Sequence, residues 1–222
     1  MCFKLPDSLS HDLGAAIPLA GGTAMYGLRY CGQLAAGETL VVLGAAGGTG
    51  NYAVQIGKAL GARVIAVCSS VEKVRSVLEA GADVAINYRE EDLGERLKEL
   101  TDNRGVDVVY DPVGGDLFDI CSRRMAMGGR LLIVGFASGR IPDLGVNMPL
   151  IKSYSVVGTN WSLTAWNRPD ISMLVMEELF TLCERGLVRP TIDKIFPLDQ
   201  AKMALSRLES REAIGKTLVQ VG

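Results

Sequence analysis

A glycine-rich segment at residues 44–50 has the residue types and spacing that can hold a phosphate group. It reads Gly-Ala-Ala-Gly-Gly-Thr-Gly, with glycines in a G-x-x-G-x-x-G spacing instead of the commoner G-x-G-x-x-G. Glycine tolerates positive φ and lets a ligand approach the backbone closely. A helix that begins at such a turn offers N–H groups without intrahelical partners and a partial positive charge. These properties favour a bound pyrophosphate.

The elements around this turn are those of a βαβ unit. An apolar run at 40–43 precedes it, residues 49–60 have helical spacing, and a second apolar run follows at 64–67. Strand, turn, helix and strand within this length close a parallel pair of strands. Because the glycines lie between a strand and a helix, the sequence predicts dinucleotide binding over a purely structural turn.

Strands and helices continue to alternate beyond this unit, which predicts an α/β, doubly wound Rossmann domain with a six-stranded parallel sheet. The further strands are predicted at 84–86, 106–110, 130–134 and 155–159. Helices are predicted at 10–16, 23–32, 71–80, 90–100, 117–127 and 171–184, and 135–153 is expected to be irregular.

The last part of the chain does not continue this alternation. Two strands, at 191–196 and 216–221, flank a helix at 199–208 that we expect Asp199 to cap. We therefore divide the chain into a leading segment (1–22), a dinucleotide-binding domain (23–185) and a separate C-terminal segment (186–222).

Composition excludes several classes of function. The chain has 23 basic and 25 acidic residues, so no basic excess indicates a nucleic-acid partner. No apolar run reaches the roughly 18–20 residues that span a bilayer, and the N-terminus lacks a signal-peptide pattern. The five cysteines are scattered and the single histidine, His11, has no metal-ligand neighbours. We expect reduced thiols, no metal site and a soluble cytoplasmic protein.

The end of the second predicted strand bears on cofactor choice. An acid there would hydrogen-bond the ribose 2′-hydroxyl of NAD and repel the 2′-phosphate of NADP. This strand instead ends in Cys-Ser-Ser at residues 68–70, and Lys73 follows on the next helix. Lys73 can reach a phosphate or be a solvated helix lysine, and Glu72 argues against a phosphate unless it complements the helix dipole. The sequence favours NADP.

No residue stands out as an obligatory catalytic acid, so the catalytic residues stay unassigned. Asp111 precedes Pro112 at the end of a predicted strand, a setting typical of a structural turn. Tyr52, on the first turn of the predicted helix, is expected to serve packing.

Several motifs together resemble the zinc-free quinone oxidoreductases of the zeta-crystallin type, within the medium-chain dehydrogenase/reductase superfamily. They are residues 44–50, 54–62, 81–83, 86–88 and 128–130. The resemblance runs from residue 5 to residue 219. Thr49 departs from it, since the family usually has valine there.

The resemblance implies that NADPH donates a hydride to a quinone or an α,β-unsaturated carbonyl. It implies main-chain contacts of residues 46–49 with the pyrophosphate, and a 2′-phosphate site of Ser69, Lys73 and Tyr88. It also implies a set of residues near the ribose and nicotinamide, namely Thr23, Gly115, Gly135, Phe136, Thr159, Asn160 and Trp161. Core packing remains an alternative for Tyr88, Phe136 and Trp161, and a turn role for Asn160. The pyrophosphate contacts are those of Ala46, Gly47, Gly48 and Thr49.

The resemblance also implies that this chain lacks most of an N-terminal catalytic domain, and with it half of the substrate cleft. A non-catalytic NADPH-binding module, as a truncated isoform or an isolated domain, is therefore the alternative function, and whether Met1 is a native start is left open. We expect the C-terminal segment, a remnant of that domain, to be displaced, swapped or poorly ordered because its strands lack partners. We also expect a homodimer through the edge of the sixth strand, from Tyr154 to Asn160.

Overall fold

A six-stranded parallel sheet forms the centre of the computed structural model, which describes residues 2–221. Its strands follow the order β3-β2-β1-β4-β5-β6 and each pairs in parallel with its neighbours. The predicted doubly wound α/β class is confirmed, and the strand order reverses between β1 and β4, where such sheets bind ligands. The strands are β1 (Thr39–Leu43), β2 (Arg63–Cys68), β3 (Val84–Asn87), β4 (Val106–Asp111), β5 (Met125–Ile133) and β6 (Ser155–Gly158).

Helices cover both faces of this sheet. They are α1 (His11–Met25), α2 (Gly48–Ala59), α3 (Val71–Glu79), α4 (Leu93–Leu100), α5 (Gly115–Ser122), α6 (Asn147–Lys152), α7 (Trp161–Asn167) and α8 (Pro169–Glu184). Alternate residues of β1 point to opposite faces. Leu40 and Val42 join an apolar cluster with α1, α2, α3 and α8, whereas Val41 and Leu43 join one with α4 and α5.

Helix α1 is continuous where the sequence predicted a short helix and then a second one from Thr23. It runs through the predicted boundary and leads directly into a π-helix at Tyr26–Cys31. A Cβ on Gly22 would lie 2.5 Å from Trp161 Nε1, and one on Gly21 would lie 2.8 Å from Leu179 Cδ2. These glycines therefore allow close packing of α1 and do not break the helix.

Other boundaries also differ from the prediction. The helix predicted over 117–127 ends at Ser122 because residues 125–127 belong to β5, where Met125 pairs with Val106 of β4. Helices α6 and α7 were not predicted, since both are short and lack a long apolar period.

The C-terminal segment forms a small unit of its own. Strands β7 (Ile192–Pro197) and β8 (Lys216–Gln220) pair in parallel, and α9 (Ala201–Glu209) connects them. A 3₁₀ turn at Leu198–Gln200 precedes α9, so Gln200, and not the predicted Asp199, is its N-cap residue.

This C-terminal unit is hydrogen-bonded to α2. The side chain of Gln55 exchanges two hydrogen bonds with the main chain of Arg189, at 2.7 and 2.9 Å, and Thr191 Oγ1 donates to Asn51 Oδ1 at 2.9 Å. Gly215 N donates to Ala46 O at 2.8 Å. The expectation that the strands lack partners and the segment is displaced is therefore wrong for residues 186–221, since β7 and β8 pair with each other and polar side chains of α2 hold the segment. Swapping between copies and poor order stay untested.

Within residues 2–221, no helix is both long enough and apolar enough to cross a membrane.

Candidate functional site

A cavity of about 530 Å³ lies at the C-terminal ends of β1, β2 and β4. Three parts of the chain form it: the glycine-rich turn, the end of β2 with α3, and the C-terminal segment. Seven of the fourteen predicted site residues line it, namely Ala46, Gly47, Gly48, Thr49, Ser69, Lys73 and Tyr88.

The glycine-rich turn forms a cradle of main-chain N–H groups. Gly44 has φ +59°, and a Cβ on Gly50 would lie 2.3 Å from the Gly44 carbonyl oxygen, so the turn requires glycine at both positions. Gly47 is the N-cap residue of α2 and has no side chain to cap the helix. Among the described residues, no side chain accepts a hydrogen bond from the N–H groups of 48–50. The cradle therefore fits an anion such as a pyrophosphate.

The hydroxyl of Thr49 has internal partners although the residue lines the cavity. Thr49 Oγ1 lies 2.6 Å from the hydroxyl of Tyr110 and donates to Ala20 O at 3.1 Å. Tyr110 is fully buried, and this burial raises the pKa of its phenol, which therefore stays protonated. One side chain thus connects the glycine-rich turn to β4 and α1.

The other end of the cavity carries an excess of positive charge. Lys73 Nζ lies 2.6 Å from the main-chain oxygen of Arg211 and 3.5 Å from Ser69 Oγ. Burial lowers the pKa of Lys73, and the nearby charges of Arg89 and Arg211 lower it further. None of these three cations has an ion-pair partner among the described residues, although Glu209 also lines the cavity. A phosphate group would fit between them.

Sequence reasoning missed Arg89 and the whole wall that the C-terminal segment contributes. Arg89 directly follows Tyr88 at the end of β3, so its position at the strand end was a usable signal. No local sequence pattern indicated that the C-terminal segment forms part of the cavity wall, because this depends on how residues 186–221 dock on α2. Its lining residues are Leu208, Glu209, Arg211, Ala213 and Gly215.

Three predicted residues near the end of β6 lie outside this cavity. Trp161 is buried, and its indole N–H donates to Pro18 O at 3.0 Å. Asn160 Oδ1 accepts from Leu163 N at 2.9 Å and caps α7. Both side chains thus have partners within the chain, and their contact with a nicotinamide stays a prediction. Thr159 differs, since its buried hydroxyl has no hydrogen-bond partner among the described residues.

The other four predicted residues also lie outside the lining. Thr23 Oγ1 donates to Leu19 O at 2.7 Å within α1. Gly115 begins α5 with φ +62°, and Gly135 N donates to Asp111 O at 3.3 Å. Phe136 is 39% exposed. Their contact with a nicotinamide stays a prediction.

Asp111 has the structural turn role that its setting predicted. Its buried carboxylate accepts hydrogen bonds from Val113 N at 2.7 Å and Gly114 N at 2.8 Å. Burial raises the pKa of Asp111, and these two bonds oppose that effect. Tyr52 is 1% exposed, which confirms its packing role. Within residues 2–221, no cluster of three or more His, Cys, Asp or Glu residues could hold a metal.

Comparison with known proteins identifies similar chains. The family model of zinc-binding dehydrogenases matches residues 48–177. A quinone oxidoreductase-like protein 2 homolog of Nematostella vectensis is 35% identical over 219 residues, covering 98% of this chain and 60% of that protein. Quinone oxidoreductase 1 of Escherichia coli is 36% identical over 220 residues, covering 97% of this chain and 66% of that protein.

Solved structures show the same similarity. The crystal structure of Escherichia coli quinone oxidoreductase complexed with NADPH has a TM-score of 0.90 at 34% identity, covering 99% of this chain and 68% of that chain. The structure of mycobacterial Rv1454c complexed with NADPH has a TM-score of 0.91 at 30% identity, covering 98% and 67%. This chain spans 60% to 66% of the length of the two curated relatives named above.

Proposed function

The chain belongs to the medium-chain dehydrogenase/reductase superfamily, among its zinc-free quinone oxidoreductase-like proteins, and from that premise we propose that it is the NADPH-binding part of an oxidoreductase. The proposed reaction is hydride transfer from NADPH to a quinone or an α,β-unsaturated carbonyl. One observation carries the cofactor assignment: a single cavity joins the N–H cradle of the glycine-rich turn to three cations without ion-pair partners.

In this proposal the two ends of the cavity bind the two phosphate-bearing parts of the cofactor. Within residues 46–49, the N–H groups of Gly48 and Thr49 bind the pyrophosphate, whereas that of Gly47 already donates to Gly44 O at 2.9 Å. Ser69, Lys73 and Tyr88 bind the 2′-phosphate, and the absence of an acid at the end of β2 removes the repulsion that would favour NAD.

The nicotinamide then extends toward the ends of β4, β5 and β6. There the seven predicted residues outside the cavity lining are proposed to flank it, and the unpartnered hydroxyl of Thr159 supports this direction. Bound NADPH would supply the hydride, and the chain's own residues would hold and orient it. Asp111 is already bonded to two main-chain N–H groups, so we assign no side chain as a proton donor.

A non-catalytic NADPH-binding module remains the second candidate. It is favoured by the contrast between a cavity with two phosphate-binding ends and the lack, among the described residues, of a side chain that we assign as a proton donor. In that case the cofactor site would be complete and the substrate site would not. The division into a leading segment (1–22), a dinucleotide-binding domain (23–185) and a C-terminal segment (186–222) is part of both proposals, although the continuous helix α1 crosses its first boundary.

We further propose a homodimer through the edge of β6, residues 154–160, in the cytoplasm. Within residues 2–221, no strand lies beside the outer edge of β6. Exposed apolar side chains of Val146, Leu150 and Ile151 lie on the segment that leads to this edge. All five cysteines are free thiols, which supports a reducing compartment.

The oxidoreductase proposal is tested by following NADPH oxidation by the purified chain with a quinone and with an enone as separate acceptors. Acceptor-dependent oxidation of NADPH would support the enzyme and would identify its substrate class. NADPH binding without turnover of either acceptor would support the binding module, and failure to bind NADPH would overturn both.

A further inference from the structure

The C-terminal segment borders the cavity beside Lys73 with the end of α9 and the loop that follows it, residues 208–215, which we call the C-terminal strap. It leaves the end of α9 and enters β8, and five of its residues line the cavity. Its far end is fixed, since Gly215 N donates to Ala46 O in the glycine-rich turn at 2.8 Å.

Asp193 on β7 holds the base of this strap together. Its carboxylate is 8% exposed and accepts from Arg207 Nε at 2.5 Å and Arg207 Nη2 at 3.0 Å. It also accepts from Ile214 N at 3.3 Å. Arg207 lies before the strap and Ile214 near its end, so one buried carboxylate closes the loop. Asp193 itself does not line the cavity.

The apex of the strap reaches Lys73 through main chain. Arg211 follows Ser210, the C-cap residue of α9, and lies in the left-handed region with φ +59°. Its carbonyl oxygen accepts a hydrogen bond from Lys73 Nζ at 2.6 Å. A lysine side chain is long and flexible, so this acceptor fixes where its ammonium lies. An ammonium has three N–H donors, and those not used by the carbonyl remain available to a phosphate.

We propose that Asp193 is a positioning residue for cofactor choice: it holds the strap so that the Arg211 carbonyl keeps Lys73 aimed at the 2′-phosphate of NADPH. This inference rests on the proposed function. Pre-ordering the ammonium removes the cost of immobilising a flexible side chain when the phosphate binds. NADH has only a neutral 2′-hydroxyl at this position, so it gains much less from a pre-ordered ammonium.

The test is fluorescence titration of NADPH and NADH into wild type and variants. Asp193→Ala is expected to weaken NADPH binding about fivefold while the NADH dissociation constant changes less than about twofold, the size expected when the cost of immobilising one flexible side chain returns. Asp193→Asn keeps an acceptor for Ile214 N, so its affinity for NADPH is expected to fall less than that of Asp193→Ala. In a Lys73→Ala background, Asp193→Ala should leave the ratio of the NADPH and NADH dissociation constants unchanged.

A matched control exists in Asp107→Ala. The carboxylate of Asp107 likewise accepts two hydrogen bonds from Arg104 and one from the main-chain N–H of Thr39. Asp107, however, lies at the opposite end of the sheet from the cavity. This variant should keep the wild-type ratio. If Asp193→Ala does not fold, Arg207→Met removes the same ion pair by changing its more exposed partner. It should shift the ratio of the NADPH and NADH dissociation constants in the same direction.

Two results would overturn the inference: an unchanged ratio in folded Asp193 or Arg207 variants, or an effect of Asp193→Ala that persists without Lys73. A wild type without preference for NADPH would instead refute the proposed 2′-phosphate site, so the two failures are distinguishable.

Discussion

The side chain of Thr49 stabilises the fold, whereas its main-chain N–H faces the proposed cofactor site. Its hydroxyl lies 2.6 Å from that of Tyr110, which is otherwise enclosed by the core. The valine usual in the family resemblance would leave the phenol of Tyr110 without this partner. A buried hydroxyl that loses its hydrogen bond costs stability, so the threonine and the tyrosine should be energetically coupled.

Thr49→Val is therefore expected to lower the free energy of unfolding by about 1–3 kcal/mol, the cost of an unsatisfied buried polar group. Adding Tyr110→Phe should recover part of that loss, because the orphaned hydroxyl is then absent. Chemical denaturation of the two single variants and the double variant measures the coupling. Additive losses in the double variant would show that the two hydroxyls do not depend on each other.

At the scale of elements, an ion pair joins β5 to the start of β1 across β4. Arg130 on β5 makes two contacts with the carboxylate of Glu38, at 2.7 and 2.8 Å. Both side chains are largely buried, at 19% and 24% exposure. The hydrogen bonds from Arg130 are the main reason that the pKa of Glu38 is lowered from its ordinary value of 4.5. The carboxylate form is thus favoured in the folded state.

Because the folded-state pKa lies below the unfolded one, this stabilisation is complete above pH 4.5 and disappears as the pH falls through the lowered pKa. Glu38→Gln is expected to be less stable than wild type at pH 7 by roughly 1–3 kcal/mol. The gap should narrow as wild-type Glu38 becomes protonated. Denaturation of both proteins at neutral and acidic pH measures it, and a gap independent of pH would contradict the ion-pair account.

Local patterns predicted the elements that depend on local sequence. The strand–turn–helix–strand unit around residues 44–50 has nearly the predicted bounds, because its apolar runs and glycines determine it. The continuity of α1 could not be predicted, since Gly21 and Gly22 are read as helix breakers until Trp161 and Leu179 are seen against them. The part of the cavity wall that the C-terminal segment forms could not be predicted either, because Arg211 reaches Lys73 across 138 positions of sequence.

At the scale of the whole molecule, the unpaired edge of β6 determines the proposed assembly. Thr159 N donates inward to Ile133 O, so the alternation of a parallel strand turns the N–H of Gly158 outward. A Cβ on Gly158 would meet no atom within 4 Å. Substitutions at this position therefore test the edge with little disturbance of the protomer.

Gly158→Pro is expected to convert a dimer into a monomer, because proline cannot donate a hydrogen bond to a second copy. Gly158→Ala adds a side chain but keeps the N–H, so it should remain dimeric. Sedimentation of the three proteins at equal concentration measures the change, with thermal melts to verify folding. A monomeric wild type, or a dimer that survives the proline, would refute this interface.

Binding of NADPH in one cavity, with its 2′-phosphate at Lys73, is measured by titrating NADPH and NADH into wild type and Lys73→Ala. We predict that wild type binds NADPH at least about tenfold more tightly than NADH, as expected for a charge-assisted phosphate contact. Lys73→Ala should bring the two affinities together, whereas Lys98→Ala, on the exposed face of α4, should not. Equal affinities in wild type, or a preference that survives the loss of Lys73, would contradict the account.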